Sequence, residues 1–133
     1  MKKLLFLSIF ISLASCKNDD DFHKSPPAII GEWNMISFTY PNDEPTNITK
    51  GDIVWIIGTS NITMINESPY SFASPRGTYP YAWVNNYEDI KIELKNETVY
   101  VKVTTNTTSL HLTQTSEPGQ PEVNEPVVIK FEK

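Results

Sequence analysis

Past residue 28 the apolar residues of this chain recur at every second position, in short runs divided by clusters of Asn, Asp, Gly, Pro and Ser. A period of two with one wet and one dry face is the mark of antiparallel β-sheet, and no stretch sustains the 3.6-residue period of a helix. Frequent Ile, Val, Thr, Tyr and Trp suit a pleated, half-buried surface. Eight strands are predicted, over residues 30–40, 52–57, 62–66, 77–84, 89–94, 98–104, 109–115 and 127–132. Alternation is cleanest in the second half. Ile90, Ile92 and Leu94 oppose Lys91, Glu93 and Lys95; Val99, Val101 and Val103 oppose Tyr100 and Lys102; Leu110 and Leu112 oppose His111 and Thr113. In the last strand Val127, Ile129 and Phe131 oppose Val128, Lys130 and Glu132. Pro80 sits inside the fourth strand, which predicts an edge, a bulge or an opening of the ladder there. The second strand is apolar on both faces, Val54 and Ile56 against Ile53, Trp55 and Ile57, so one face is expected to be covered by a loop or exposed as a binding patch. Short connections favour neighbour pairing. The predicted architecture is all-β, an eight-stranded antiparallel meander closed into a small barrel, with a β-sandwich as the alternative.

The first 28 residues follow a different pattern. Lys2 and Lys3 precede an almost wholly apolar run from residue 4 to 13, then Ala14, Ser15 and the single cysteine, Cys16. The run is too short to cross a bilayer, which takes about 20 residues, and reads as a signal peptide over residues 1–15. The ending Leu13-Ala14-Ser15-Cys16 resembles the bacterial lipobox. That resemblance implies a diacylglycerol on the Cys16 thiol, cleavage before it, acylation of the new amino group with palmitate-type chains, and anchorage to a membrane. Lys17 follows the cysteine, where the enteric sorting pattern uses Asp for inner-membrane retention, so the outer membrane is the expected location. Residues 16–28 form the tether, with the acidic run Lys17-Asn18-Asp19-Asp20-Asp21 and the prolines of Ser25-Pro26-Pro27-Ala28. The acidic run resembles the export signal of surface lipoproteins of the Bacteroidota type; a solvated spacer is the other reading. Residues 29–133 are the barrel domain.

Composition narrows the function classes. The chain has 133 residues and a formal charge of −5, which becomes −7 when Lys2 and Lys3 are removed with the leader. An acidic chain lacks the clustered Lys and Arg that neutralise phosphates, so nucleic acid is not an expected partner. A lone cysteine excludes an intramolecular disulfide.

Gly31-Glu32-Trp33, at the head of the first strand, resembles the Gly-X-Trp motif of the lipocalins. "GTYPYAW" at 77–83 and the strand series from residue 89 to the end resemble the lipocalin-like domains of bacterial surface lipoproteins. The likeness spans residues 29–133. It implies a barrel closed at one end by Trp33. Members of the family often hold an arginine over that tryptophan, near the last strand; Lys130 is the cation this chain offers there.

Candidate chemistry is mostly aromatic. Trp33, Trp55, Tyr79, Tyr81 and Trp83 are the large side chains that could contact a small apolar or amphiphilic ligand in a barrel, and core packing is their other use. No catalytic constellation is expected. Histidine is the side chain best suited to proton transfer near neutral pH, and the chain has two: His23 falls in the tether and His111 on a polar face. Gly-X-Ser-X-Gly, metal-ligand spacing and a glycine-rich phosphate loop do not occur, so no enzyme activity, metal or cofactor is predicted. The expected function is ligand binding by a lipid-anchored outer-membrane lipoprotein. The alternative is a surface interaction module that holds a protein or glycan partner through loops 41–51, 66–76 and 115–126.

Overall fold

The computed structural model describes residues 24–70 and 73–133. The predicted leader, Cys16 and His23 lie outside the described residues. Nine strands follow one another: β1 (Gly31–Thr39), β2 (Thr46–Asn47), β3 (Ile53–Ile57), β4 (Asn61–Asn66), β5 (Gly77–Val84), β6 (Asp89–Glu93), β7 (Thr98–Thr105), β8 (Ser109–Thr115) and β9 (Val128–Glu132). From β3 to β9 each strand pairs antiparallel with the next, and β1 pairs with both β3 and β9. The result is a closed eight-stranded antiparallel barrel with β2 added. Closure removes exposed edges and settles the barrel against the sandwich.

The added strand is a two-residue piece of the connection after β1. It pairs with Ser37 and Phe38, and the Ile48 amide donates to the Ile36 carbonyl at 2.9 Å. Strand β3 pairs only with residues 31–34 of β1, so β2 occupies the part of that edge which β3 leaves.

Alternation sets the inward face on every strand, with one change of phase. Trp33 and Met35 point inward from the first half of β1 and are buried. Opposite β9, Met35 pairs with Phe131 but Ser37 pairs with Lys130, which leaves Ile36 as the extra residue of a β-bulge. Beyond it the inward set moves to Phe38 and Tyr40. Pro80 stands where the ladder to β6 opens. That pairing runs only from Tyr81 to Val84. The Tyr81 amide donates toward β4, to the Ser60 carbonyl at 2.9 Å, so the nitrogen of Pro80 points the other way, past the end of the β6 ladder. On β3 the face carrying Val54 and Ile56 points out; Ile56 and the neighbouring Ile65 of β4 are exposed on the barrel wall.

Strand directions give the barrel two distinct ends. The connections after β1, β4, β6 and β8 lie at one; the turns after β3, β5 and β7 lie at the other with the segment 24–30. This second end is packed shut. Gly31 has φ +136, a conformation that L side chains rarely adopt, and so lets the chain turn from beneath the barrel into β1. Trp33 is fully buried behind it, its Nε1 donating to the Ile29 carbonyl at 2.8 Å. Ile57, Ile62, Ile90, Leu110 and Phe131 fill the space around the indole. Burying each such aliphatic or phenyl side chain contributes about 1.5–3 kcal/mol. Lys24 reaches the β5–β6 turn, where its Nζ lies 3.0 Å from Glu88 Oε1, so residues 24–30 cross the closed end.

Candidate functional site

The other end holds a cavity of about 320 Å³. Trp55 of β3 and Met64 of β4 form one side of it. Ile92 and Leu94 from β6 and its turn, Val99 and Val101 from β7, and Leu112 and Ile129 from β8 and β9 form the rest of the apolar wall. Ala73 and Pro75 of the β4–β5 loop, with Val127, close in from above. Three polar side chains join them: Tyr40, Gln114 and Glu97. Glu97, in the exposed β6–β7 turn, is the lining residue that reaches solvent most fully.

Its floor is Trp55, whose ring packs tilted against Phe131 at a centroid distance of 4.9 Å. Buried indole N–H groups need an acceptor, and Ser74 Oγ accepts from Trp55 Nε1 at 2.9 Å. That bond ties the β4–β5 loop to the barrel wall. A second tie comes from Asn66, the buried last residue of β4. Its Nδ2 donates to the carbonyls of Tyr70 and Ser74 (3.0 and 3.1 Å), while its Oδ1 accepts from the amide and hydroxyl of Ser68. Arg76 Nε donates to the Asn66 carbonyl at 2.7 Å and closes the loop. A small polar network thus holds an apolar lip over the cavity. On the facing side, the Gln114 amide donates to the Val127 carbonyl (2.8 Å) and Gln114 Oε1 accepts from the Val127 amide (3.2 Å), which draws Val127 into the wall. Burial raises the Tyr40 phenol above its ordinary value of 10, so it is a neutral hydroxyl throughout the physiological range.

Of the five aromatic residues singled out by sequence, the structure brings one, Trp55, to the cavity. Trp33 is sealed in the closed end. Tyr79, Tyr81 and Trp83 do point inward from β5, opposite Ile62, Ile92 and Ile90. Tyr81 and Trp83 sit low in the barrel, however: Tyr81 donates its hydroxyl to the Gly58 carbonyl at 2.6 Å, and Trp83 meets Tyr87 edge-on at 6.1 Å. Tyr79 Oη donates to the Arg76 carbonyl at 2.7 Å. The cation over Trp33 is also not the expected one. Lys133 Nζ lies 4.9 Å from the indole centroid, whereas Lys130 is exposed on the outer wall between Ser37 and His111. Alternation explains this: Lys130 is one residue out of phase with the inward Phe131.

Sequence reasoning missed most of the lining because it looked for large aromatics. The cavity exists where the inward residues are small or slender, Val99, Val101, Val127 and Ala73, at the upper ends of their strands and loops. Small inward residues clustered at one end of a meander were the available signal. A second depression, about 490 Å³, lies under the closed end between Pro27, Ala28, the β7–β8 turn and Lys133. It is larger but shallow, and turn and terminal residues rather than inward strand side chains surround it.

No family model matches the chain, and neither a curated protein nor a solved structure matches it.

Proposed function

We propose that this chain is a lipid-anchored outer-membrane lipoprotein whose lipocalin-like barrel binds a small apolar or amphiphilic ligand. The observation that carries the reading is the one-ended cavity, apolar below and with three polar groups above. At about 320 Å³ it falls at the low end of the range for small-molecule sites. It has room for an apolar group of about ten heavy atoms, at roughly 30 Å³ each. Anchorage rests on the resemblance of residues 13–16 to a lipobox. In that reading residues 16–23 link the lipid to the closed end, a reach of at most about 28 Å fully extended. The mouth would then face away from the anchoring membrane, and ligand would enter from the aqueous side.

Native mass spectrometry of the protein released from bacterial membranes tests both parts at once. The expected result is an acylated chain beginning at Cys16 that carries a defined excess mass, lost on denaturation. Substituting Val99→Trp, which fills the cavity, should remove the excess mass and keep the fold. An unmodified chain would overturn the anchor, and an excess mass that persists in Val99→Trp would overturn the cavity as the site.

A second reading is supported by the loops. Segments 41–51 and 115–126 and the described residues of segment 66–76 gather at the open end, the first two joined by a hydrogen bond from Asn42 Nδ2 to Glu125 Oε1 at 3.2 Å. Such a surface suits a protein or glycan partner. Loss of partner capture on loop exchange, with Val99→Trp silent, would favour it.

A further inference from the structure

Resting on the ligand-binding reading, we infer that the cavity discriminates by headgroup charge: it takes cationic and neutral amphiphiles and rejects carboxylates such as fatty acids. Among the described residues, Glu97 is the one charged group in the lining, and no base is present. Glu97 makes no ion pair among the described residues, so its charge is uncommitted. The other polar lining groups, the Tyr40 phenol and the Gln114 amide, are neutral.

The surroundings reinforce the sign. The four connections at this end, residues 40–52, 67–76, 94–97 and 116–127, carry eight carboxylates against three bases. Of the bases, Lys50 is turned onto the outer wall, with Nζ 2.7 Å from the Lys133 carbonyl oxygen and 3.5 Å from Glu132 Oε1. Arg76 is held at the lip by the Asn66 carbonyl. Lys95 shares the turn of Glu97. A concave site with low-dielectric walls focuses such a field on what enters it. An alkyl chain in the cavity places its headgroup at the level of Glu97. There an ammonium gains a partner, whereas a carboxylate meets a like charge, and no base in the lining offsets it.

The test uses calorimetric titration of the full chain with Cys16→Ser, at low salt, with three probes that share one tail: decyltrimethylammonium, decanol and decanoate. The Val99→Trp form of the same chain supplies the background, so that only heat lost on filling the cavity counts. Decyltrimethylammonium should bind about tenfold tighter than decanoate, a difference of ~1.4 kcal/mol, with decanol between them. The gap should shrink at high salt, because the opposing charges are solvent-exposed, and in Glu97→Gln. Decanoate binding as tightly as the cation, or a gap that ignores both salt and Glu97→Gln, would overturn the charge selection and leave ligand binding standing. Heat from none of the three probes, beyond the filled-cavity background, would overturn the ligand-binding reading and this inference with it.

Discussion

The two ends of the barrel are formed by the same strands yet are filled to different depths. At the closed end Trp33, Phe131, Ile57, Ile62, Ile90 and Leu110 leave no room, and segment 24–30 runs beneath them. At the open end the inward positions carry Val99, Val101, Leu112 and Ile129, and about 320 Å³ stays empty. Eight strands make a barrel just wide enough to be filled by side chains or to hold one small ligand. Which of the two occurs is decided by side-chain volume, level by level. The closed end is therefore where stability should concentrate, and the open end is where substitutions should alter binding at little cost to folding.

The largest expected effect breaks the closed end. Trp33→Ala removes a fully buried indole, its hydrogen bond to Ile29 and the surface beneath Lys133. Aromatic-to-alanine changes in packed cores cost about 3–5 kcal/mol. Urea denaturation should show a loss of that size, with segment 24–30 released from the barrel. A loss no larger than that of an open-end valine would mean that the two ends do not differ in the way their packing indicates.

A middle-sized effect sits on the boundary between the ends. Ser74→Ala leaves the buried Trp55 N–H without its acceptor. An orphaned buried donor costs about 1–3 kcal/mol. Because Ser74 belongs to the lip and Trp55 to the floor, hydrogen exchange should rise first in the β4–β5 loop, and ligand affinity should fall with it. Uniform exchange across the barrel would show that the loop and the wall are one cooperative unit.

The same contrast explains what the sequence revealed. The last four strands could be read with their faces because nothing interrupts their alternation: Ile90 and Ile92, Leu110 and Leu112, and Phe131 all point inward as spaced. In β1 the bulge at Ile36 changes the phase, and no local residue announces it, since it arises from pairing with β9 across the whole chain. Strand β2 is too short to carry a period. The site was less legible than the fold. Trp55 could be named because it is a large inward side chain, but a cavity is a deficit of volume summed over six strands and the connections between them. Tyr40 enters the lining only because the bulge turned it inward, and Ala73 and Pro75 only because Asn66 and Ser74 fold their loop over the mouth.

The smallest expected effect concerns the segment that crosses the closed end. Lys24 and Glu88 form a bridge at 3.0 Å with both side chains nearly half exposed, a setting in which ion pairs contribute little to global stability. The hydrogen bond and charge of Lys24 hold the Glu88 carboxyl below its ordinary 4.5. A depressed acid of this kind contributes fully above 4.5, and the contribution is lost as pH falls from there through the lowered folded value. Glu88→Gln should therefore leave the melting temperature at neutral pH essentially unchanged. It should nonetheless free residues 24–28 from the β5–β6 turn, seen as faster amide exchange there at neutral pH, whereas in the unsubstituted chain the same release should appear only on acidification below 4.5. The two measurements separate local docking from global packing. If Glu88→Gln lowered the melting temperature as Trp33→Ala is expected to, the crossing segment would be an integral part of the closed-end core, and the solidity of that end would rest on its strap as much as on the indole above it.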